Sequence, residues 1–363
     1  MKTTLTVTNV VYPTADSATL YFNKPTDSFT YYPGQHVAIT AVVDNKSITR
    51  TYSLSTAPLV DEQLAITVKR LPQGLLSTHL VEKARAGIDL LVEGPLGQFY
   101  TVPNPANQRH LILFAGGSGI TPLYSMIRSI LQGEPHSKLS LVYANRTWEG
   151  IIFQQPLAQL QQQHPDRFFL YHVLEQYHEL KESQLRHISL KGSLSRLIVK
   201  KIVHQLQAQA PGPTEFYLCG PYGYMELIQQ TLAGLGIPLH TIYKEAFFVP
   251  EPAQEAKVDF THLPTQTVQL RLKGQLQALT VPSGQSILEA ALLAGLPLRY
   301  SCQQAQCGTC RVRLLQGQVE MERNHALSAE EVSQGQILLC RAFPLSNDVL
   351  IEPFENPIGA AGH

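Results

Sequence analysis

The chain has 363 residues, and its 28 Lys plus Arg balance 28 Asp plus Glu, with charged residues making up only 15% of the sequence. At roughly 150 residues per domain that length fits two to three domains, and a formal net charge of zero leaves no bulk positive field to draw in nucleic acid or an anionic membrane. Hydrophobic residues at 44%, with 24 Gly and 24 Pro, fit a folded, loop-rich protein rather than a disordered one. The segment Met1 to Val7 carries no apolar run of signal-peptide length. The longest apolar runs, such as Leu111 to Ala115, stop far short of a span of roughly 20 residues. The expectation is therefore a cytoplasmic protein with neither membrane nor nucleic acid among its partners.

From the start to residue 106, short runs rich in Thr, Val, Ile and Tyr alternate with turn residues: Thr4–Val11, Ser17–Phe22, His36–Val43, Ser47–Leu54 and Leu64–Arg70. One helix is predicted over Leu75–Ala84. Many short strands with a single helix predict a small antiparallel β-barrel.

From 107 to 247 the pattern becomes strand and helix in alternation. Strands are predicted at His110–Ala115, Leu139–Ala144, Arg167–Leu174, Glu215–Cys219 and Thr241–Ala246, with helices around 122–132, 153–163, 194–207 and 222–234. That order implies a doubly wound α/β domain on a parallel sheet.

Residues 248–266 carry three prolines and little apolar periodicity, a linker composition. A third domain, 267–363, opens with two strands around Lys273-Gly274-Gln275. A helix follows, begun by the capping-box pattern Ser286-Ile287-Leu288-Glu289 and closed by Gly295.

Five cysteines occur, and four fall between residues 302 and 340. Cys302, Cys307 and Cys310 form C-x4-C-x2-C, and Cys340 follows after 29 further residues. Four thiolates so spaced suit a 2Fe-2S cluster, wrapped by a tight loop with a distant fourth ligand. Zinc usually takes paired C-x2-C knuckles, of which only one is present. Disulfides would need an oxidising compartment. The pattern Ser301-Cys302…Cys307-Gly308-Thr309-Cys310 with Cys340 resembles the plant-type ferredoxins, and that resemblance implies an α+β β-grasp domain. One departure stands out: Ala305 occupies the place where those ferredoxins commonly have Gly, which alanine tolerates if its φ is negative.

Arg50-Thr51-Tyr52-Ser53-Leu54 ends a predicted strand. An Arg there can pair with a diphosphate, a Tyr ring can lie against a flat heteroaromatic ring, and a Ser hydroxyl can bond its edge. Gly74 and Ser77 open the following helix, whose free N–H groups suit phosphate. Together these elements resemble the flavin motifs of the ferredoxin–NADP reductase superfamily. The resemblance implies FAD, held by Arg50, Tyr52, Ser53, Leu54, Gly74 and Ser77.

Gly116-Gly117-Ser118-Gly119-Ile120-Thr121-Pro122 sits between a buried-type strand and a helix. There glycines admit a pyrophosphate, Thr121 is expected to cap, and Pro122 suits the first helical position. The run resembles the NAD(P)H element of the same superfamily, with Gly116, Gly117, Gly119 and Thr121 as the contacts. Cys219-Gly220-Pro221 resembles its later C-G-P element, where the Cys lies near the nicotinamide. Glu245 and Phe247 match an acid and an aromatic that related reductases place near the flavin. Ser53, Cys219 and Glu245 are thus the candidate catalytic residues. No acid follows the second α/β strand until Glu149, whereas Arg146 could pair with a 2′-phosphate, which favours NADPH over NADH.

The order barrel, nicotinamide domain, ferredoxin is similar to the oxygenase reductases, the family of the phenylacetyl-CoA epoxidase reductase subunit. The resemblance implies passage of electrons from NAD(P)H through FAD and a 2Fe-2S centre to a protein acceptor such as an oxygenase component, in phenylacetate catabolism. Two other readings stay open: a general NAD(P)H:ferredoxin or flavoprotein reductase, and a redox-sensing electron-transfer subunit.

Overall fold

The computed structural model describes residues 2–23, 29–177, 180–209, 212–247, 260–272, 274–296, 298, 300, 305, 308–324 and 326–354. The chain divides into two compact units, Met1–Phe248 and Val249–His363. Within the first, β1 (Lys2–Thr14), β2 (Ser17–Phe22), β3 (His36–Val43), β4 (Lys46–Ser53), β5 (Ala65–Lys69), α1 (Leu75–Lys83) and β6 (Asp89–Leu96) come first. Their strands form an antiparallel sheet in the order β4-β3-β6-β1-β2-β5. A bridge between Leu54 and Ile66 joins its two edges. Closure removes the exposed strand edges an open sheet would leave. The interior is filled by alternate residues such as Leu5, Val7, Leu20, Phe22, Val37, Ile39 and Ile66, capped by Leu76 and Leu80 of α1.

Strand β6 is absent from the sequence expectations. It has the alternation of a half-buried strand, with Leu90, Val92 and Leu96 inward. Its Gly94-Pro95 pair reads as a turn, and a Pro is confined to strand positions that need no N–H.

The second part of this unit contains β7 (His110–Gly116), α2 (Ile120–Gly133), β8 (Lys138–Asn145), α3 (Gln154–Gln163), β9 (Phe168–Leu174), α4 (Glu182–Leu185) and β10 (Ile188–Lys191). It continues through α5 (Arg196–Gln209), β11 (Thr214–Cys219), α6 (Tyr222–Gly234) and β12 (Ile242–Glu245). All pairs are parallel, in the order β10-β9-β8-β7-β11-β12. Strand β7, His-Leu-Ile-Leu-Phe-Ala-Gly, is buried throughout, as befits a central strand covered on both faces. The order reverses at β7, so its carboxyl end is the topological switch point where such folds place ligands.

Side chains join the barrel to the α/β layer. Arg128 makes a bidentate pair with Asp61, and the Ser125 hydroxyl donates to the Thr56 carbonyl. Arg109 reaches Thr101 at 2.8 Å, Glu134 at 2.7 Å and Glu215 at 2.9 Å. Burial pushes the Glu134 carboxyl up, but hydrogen bonds from Arg109, Ser137 and Asn107 outweigh it and hold it below its usual range.

The second unit contains β13 (Gln266–Leu272), β14 (Gln275–Val281), α7 (Ile287–Leu293), β15 (Arg311–Gln316), β16 (Val319–Met321), α8 (Ala329–Ser333), β17 (Gln336–Leu338), β18 (Ala342–Pro344) and β19 (Val349–Pro353). Five of the strands form a mixed sheet, β14-β13-β19-β15-β17, and α7 packs Ile287, Leu288 and Ala291 into the same core. The Ser286 cap forms as its pattern predicts: its hydroxyl accepts from the Glu289 N–H, and Glu289 returns the bond. Of the linker expectation, 248–259 lies outside the described residues, as does Lys273.

Candidate active site

Two register pairs face each other where the barrel meets the α/β layer. In the barrel His36 of β3 lies opposite Ser53 of β4. In the parallel sheet Cys219, ending β11, lies beside Glu245, ending β12. Glu245 bridges the seam: His36 Nδ1 stands 3.0 Å from its Oε1, and the Ser53 hydroxyl donates to Oε2 at 3.3 Å. The four residues are buried, Cys219 completely. Burial, and secondly the Glu245 charge, push the Cys219 thiol well above its ordinary range. Cys219 is therefore a neutral thiol, suited to shaping a pocket rather than attacking a substrate.

The rest of the flavin motif occupies the same strand end. Arg50 is exposed, and its Nη1 donates to the Thr49 carbonyl at 2.7 Å. Tyr52 is half-buried, and burial raises its phenol above the ordinary value, with Arg50 acting in the opposite sense. Leu54 is fully buried in the barrel core. Gly74 is the N-cap of α1, whose first turn holds no acid. The Ser77 hydroxyl donates to the Gly74 carbonyl and accepts from the Leu71 N–H. Ser77 thus shapes the turn instead of capping it. A guanidinium beside a half-buried phenol and an acid-free helix start are a donor set that fits a flavin diphosphate.

At the switch point, glycine is a geometric requirement. A side chain on Gly119 would run into the Cys219 carbonyl, and one on Gly220 would lie 2.9 Å from the Gly116 Cα. Gly117 has φ +53° with open space above it, a cradle that fits a pyrophosphate against the start of α2. The carbonyls of this turn are fixed from below: Tyr143 donates to Gly117 and Tyr224 to Ala115, each at 3.1 Å.

Thr121 and Pro122 differ from expectation. The helix begins at Ile120 with Gly119 as its cap, so Thr121 is the second helical residue and Pro122 the third. The Thr121 hydroxyl donates to the Ser118 carbonyl at 3.0 Å. A one-turn 3-10 segment at Gly117–Gly119 moves the helix start forward. Proline remains tolerated because the first four N–H groups have no intrahelical partner.

Pro221 caps α6. Phe247, just past β12, is 45% exposed, so its ring is not committed to the core and is available to a cofactor. Arg146 is exposed at the end of β8, and the chain beyond β9 runs beside it, the Gln176 N–H donating to the Arg146 carbonyl. This brings in Glu175, a carboxylate the sequence expectations omit, which accepts from the Ser193 hydroxyl at 3.2 Å.

In the second unit Cys310 and Cys340 are both buried in one core. The Leu339 N–H donates to the Cys310 carbonyl, drawing the two segments together. The Ala305 N–H points at the Cys340 sulfur at 3.2 Å, as a donor to a cluster thiolate would. Ala305 has φ +56°, so the negative φ that would make alanine harmless is not adopted. Cys302 and Cys307 lie outside the described residues. The two described cysteines and this N–H fit an iron–sulfur site.

The sequence pattern gives no signal for His36, Tyr143, Tyr224 or Glu175, because each acts through a contact distant in the chain. Only the Pro-Gly-Gln-His stretch before β3 placed His36 near a strand start.

A closed barrel, a switch-point glycine turn and a cysteine-bearing mixed sheet define a flavin- and nicotinamide-linked oxidoreductase with an iron–sulfur module. Comparisons with known proteins agree. An oxidoreductase FAD-binding domain family matches residues 2–100, an oxidoreductase NAD-binding domain family 113–230, and a 2Fe-2S iron-sulfur cluster binding domain family 270–345. The chain is 33% identical over 353 residues to a subunit of the 1,2-phenylacetyl-CoA epoxidase of Escherichia coli, covering 96% of each. It is also 33% identical to the ferredoxin reductase component of the Rhodococcus rhodochrous 3-ketosteroid-9-alpha-monooxygenase, again with 96% of each covered. The chain belongs to this family of oxygenase reductase components, with FAD-binding, NAD-binding and 2Fe-2S domains. The fold matches phthalate dioxygenase reductase at 21% identity and TM-score 0.57, over 97% of this chain and 98% of that one. It also matches full-length CYP116B46 from Tepidiphilus thermophilus at 24% identity and TM-score 0.67, where it covers 96% of this chain and 42% of that one. No helix among the described residues is long and apolar enough to cross a membrane.

Proposed function

We propose that this reductase delivers electrons from NAD(P)H to an oxygenase component, with an epoxidase acting on phenylacetyl-CoA as the candidate acceptor. Bound flavin would supply hydride acceptance from the nicotinamide and single-electron delivery to the iron–sulfur centre. The observation that carries the reading is the Glu245 bridge, which ties the strand end bearing Cys219 to the strand bearing Arg50, Tyr52 and Ser53. The relatives named as oxygenase reductase components supply the acceptor class.

In this reading Arg50 and the N–H groups after Gly74 hold the flavin diphosphate, Tyr52 covers a ring face, and Ser53 bonds the ring edge. Leu54 anchors that strand. Gly116, Gly117, Gly119 and Thr121 build the turn for the nicotinamide pyrophosphate, and Gly220 and Pro221 keep Cys219 close to it. Glu245 holds the Ser53 hydroxyl, and Phe247 shields the flavin. Cys302, Cys307, Cys310 and Cys340 ligate the cluster. The domains run 1–106, 107–247 and 267–363, with the linker at 248–266; the break between compact units at Phe248 supports its start. Arg146 draws a 2′-phosphate and favours NADPH, while Glu175 beside it favours the hydroxyls of NADH, so the pair sets the coenzyme ratio.

The test is reconstitution with a purified phenylacetyl-CoA epoxidase oxygenase component. Coenzyme consumption matched by epoxide formation supports the proposal. Reduction of cytochrome c without any epoxide would overturn the acceptor.

A further inference from the structure

We infer that His36 is a positioning residue for hydride transfer, holding the Glu245 carboxylate in the orientation that fixes the Ser53 hydroxyl. The inference rests on the reading of this seam as the meeting place of flavin and nicotinamide. It starts from a buried charge. Glu245 is 8% exposed, His36 3% and Ser53 2%. A carboxylate removed from water needs strong donors. Ser53 is a weak one, since 3.3 Å is long for an O–H···O bond. His36 at 3.0 Å is the shorter contact. An ionised carboxylate only accepts, so Nδ1 carries the hydrogen and donates to Oε1.

The imidazole fills space that a side chain at 97 would need: a Cβ built on Gly97 would stand 2.7 Å from both Cε1 and Nδ1 of His36. Gly97, with φ +93°, is both conformationally and sterically reserved for glycine. Any side chain at position 97 would therefore push the ring away from its place beside Glu245. The consequence reaches Ser53: its hydrogen is directed to Oε2, and the lone pairs of its oxygen are left to accept from the edge of the flavin ring. Replacing His36 with an apolar residue would free the carboxylate to turn and release that hydroxyl. The barrel supplies both donors and the α/β sheet the acceptor, so at this end of the seam the carboxylate is oriented chiefly by the imidazole.

The experiment uses full-length holoprotein carrying His36→Leu, His36→Asn, Glu245→Gln, or His36→Leu with Glu245→Gln. Anaerobic flavin reduction by NADH and NADPH is followed by stopped flow, and ring N–H resonances are followed in 15N-histidine-labelled protein. His36→Leu and Glu245→Gln should each slow flavin reduction about a hundredfold, the size of effect expected from misplacing a reacting group. The KM for coenzyme should stay within about threefold. The double variant should be no slower than either single one, because both weaken the same contact. His36→Asn places an amide N–H near the former Nδ1 and should recover most of the rate. A ring N–H resonance protected from solvent exchange should be present in the native protein, absent in His36→Asn, and shifted in Glu245→Gln, where a neutral amide oxygen replaces the carboxylate as acceptor. Wild-type rates in a folded His36→Leu variant, multiplicative losses in the double variant, or no protected resonance would overturn the inference. If His36→Leu does not fold, His36→Asn and Glu245→Gln decide the matter by rate and resonance. A native protein whose flavin neither coenzyme reduces would instead overturn the functional reading.

Discussion

The glycine turn after β7 and the loop around Ala305, the proposed seats of nicotinamide and cluster, both demand unusual backbone and meet that demand in different ways. At the turn after β7 and the one beside it after β11, the positions that meet most closely are glycines: Gly119 against the Cys219 carbonyl, Gly220 against Gly116. Two tyrosine hydroxyls then hold the carbonyls below. In the cluster loop an alanine, 1% exposed, takes the left-handed conformation to direct its N–H to Cys340. A non-glycine residue there costs about 1–2 kcal/mol. The turn thus meets its tight positions with glycine, whereas Ala305 carries a strained φ at the point where its N–H meets the Cys340 sulfur.

The sharpest way to break the comparison is to give the turn a side chain. Gly119→Ala should destabilise the first unit by about 3 kcal/mol, the upper range for overpacking. NAD(P)H-driven flavin reduction should fall below detection, as thermal unfolding and stopped flow would show; a variant with native stability and rate would mean the turn yields easily.

Acid should distinguish the units next. Burial lowers His110 and His172 to about 4, aided by Lys138 and His187 respectively. Both belong to the first unit. As pH falls below about 6.5, the unfolded chain takes up protons that the native imidazoles refuse until about pH 4. Stability contributed by these neutral rings is complete above 6.5 and declines between 6.5 and 4, by up to roughly 3 kcal/mol per pH unit for the two together. Calorimetry between pH 7 and 4.5 should show the transition of the first unit moving down more steeply, and His110→Gln should flatten the slope. Parallel shifts of both transitions would count against this account.

Coenzyme choice offers a smaller effect. Glu175→Gln should raise the NADPH-to-NADH ratio of kcat/KM about tenfold, and Arg146→Ala should lower it by a similar factor, values in keeping with partly screened charges near a phosphate. An unchanged ratio in both variants would place the ribose elsewhere.

The smallest effect belongs to the cluster loop. Ala305→Gly relieves the strained φ but adds unfolded-chain entropy, leaving a net gain of about 0.5–1 kcal/mol. Release of iron to a chelator should slow roughly threefold, as the loss of visible absorbance would record. Faster release would mean that the alanine methyl stabilises the loop by packing.

These contrasts also explain what the sequence disclosed. The barrel and the parallel sheet were legible because runs such as Ser17–Phe22 and His110–Gly116 are rich in apolar or β-branched residues and buried almost throughout. Gly116, Gly117, Gly119, Cys219 and the cysteine spacing were legible as compact local motifs. Strand β6 was hidden by Gly94-Pro95, and β10 by its four-residue length at a sheet edge. Helix α2 started earlier than Thr121 and Pro122 suggested, because a 3-10 turn precedes it. His36 and Glu175 escaped notice since their roles come from partners 209 and 18 residues away. The sign of φ at Ala305 is a property of the folded loop that residue type alone leaves open.

The central claim is electron flow from NAD(P)H to the flavin and onward through the cluster. Its most direct test is anaerobic mixing of the holoprotein with coenzyme, following flavin absorbance and the paramagnetic signal of the reduced cluster, in native protein and in Cys340→Ser. The account predicts that the native flavin is reduced and the cluster signal follows. In Cys340→Ser flavin reduction should persist, while the cluster signal and cytochrome c reduction disappear. Undiminished cytochrome c reduction by Cys340→Ser would contradict it.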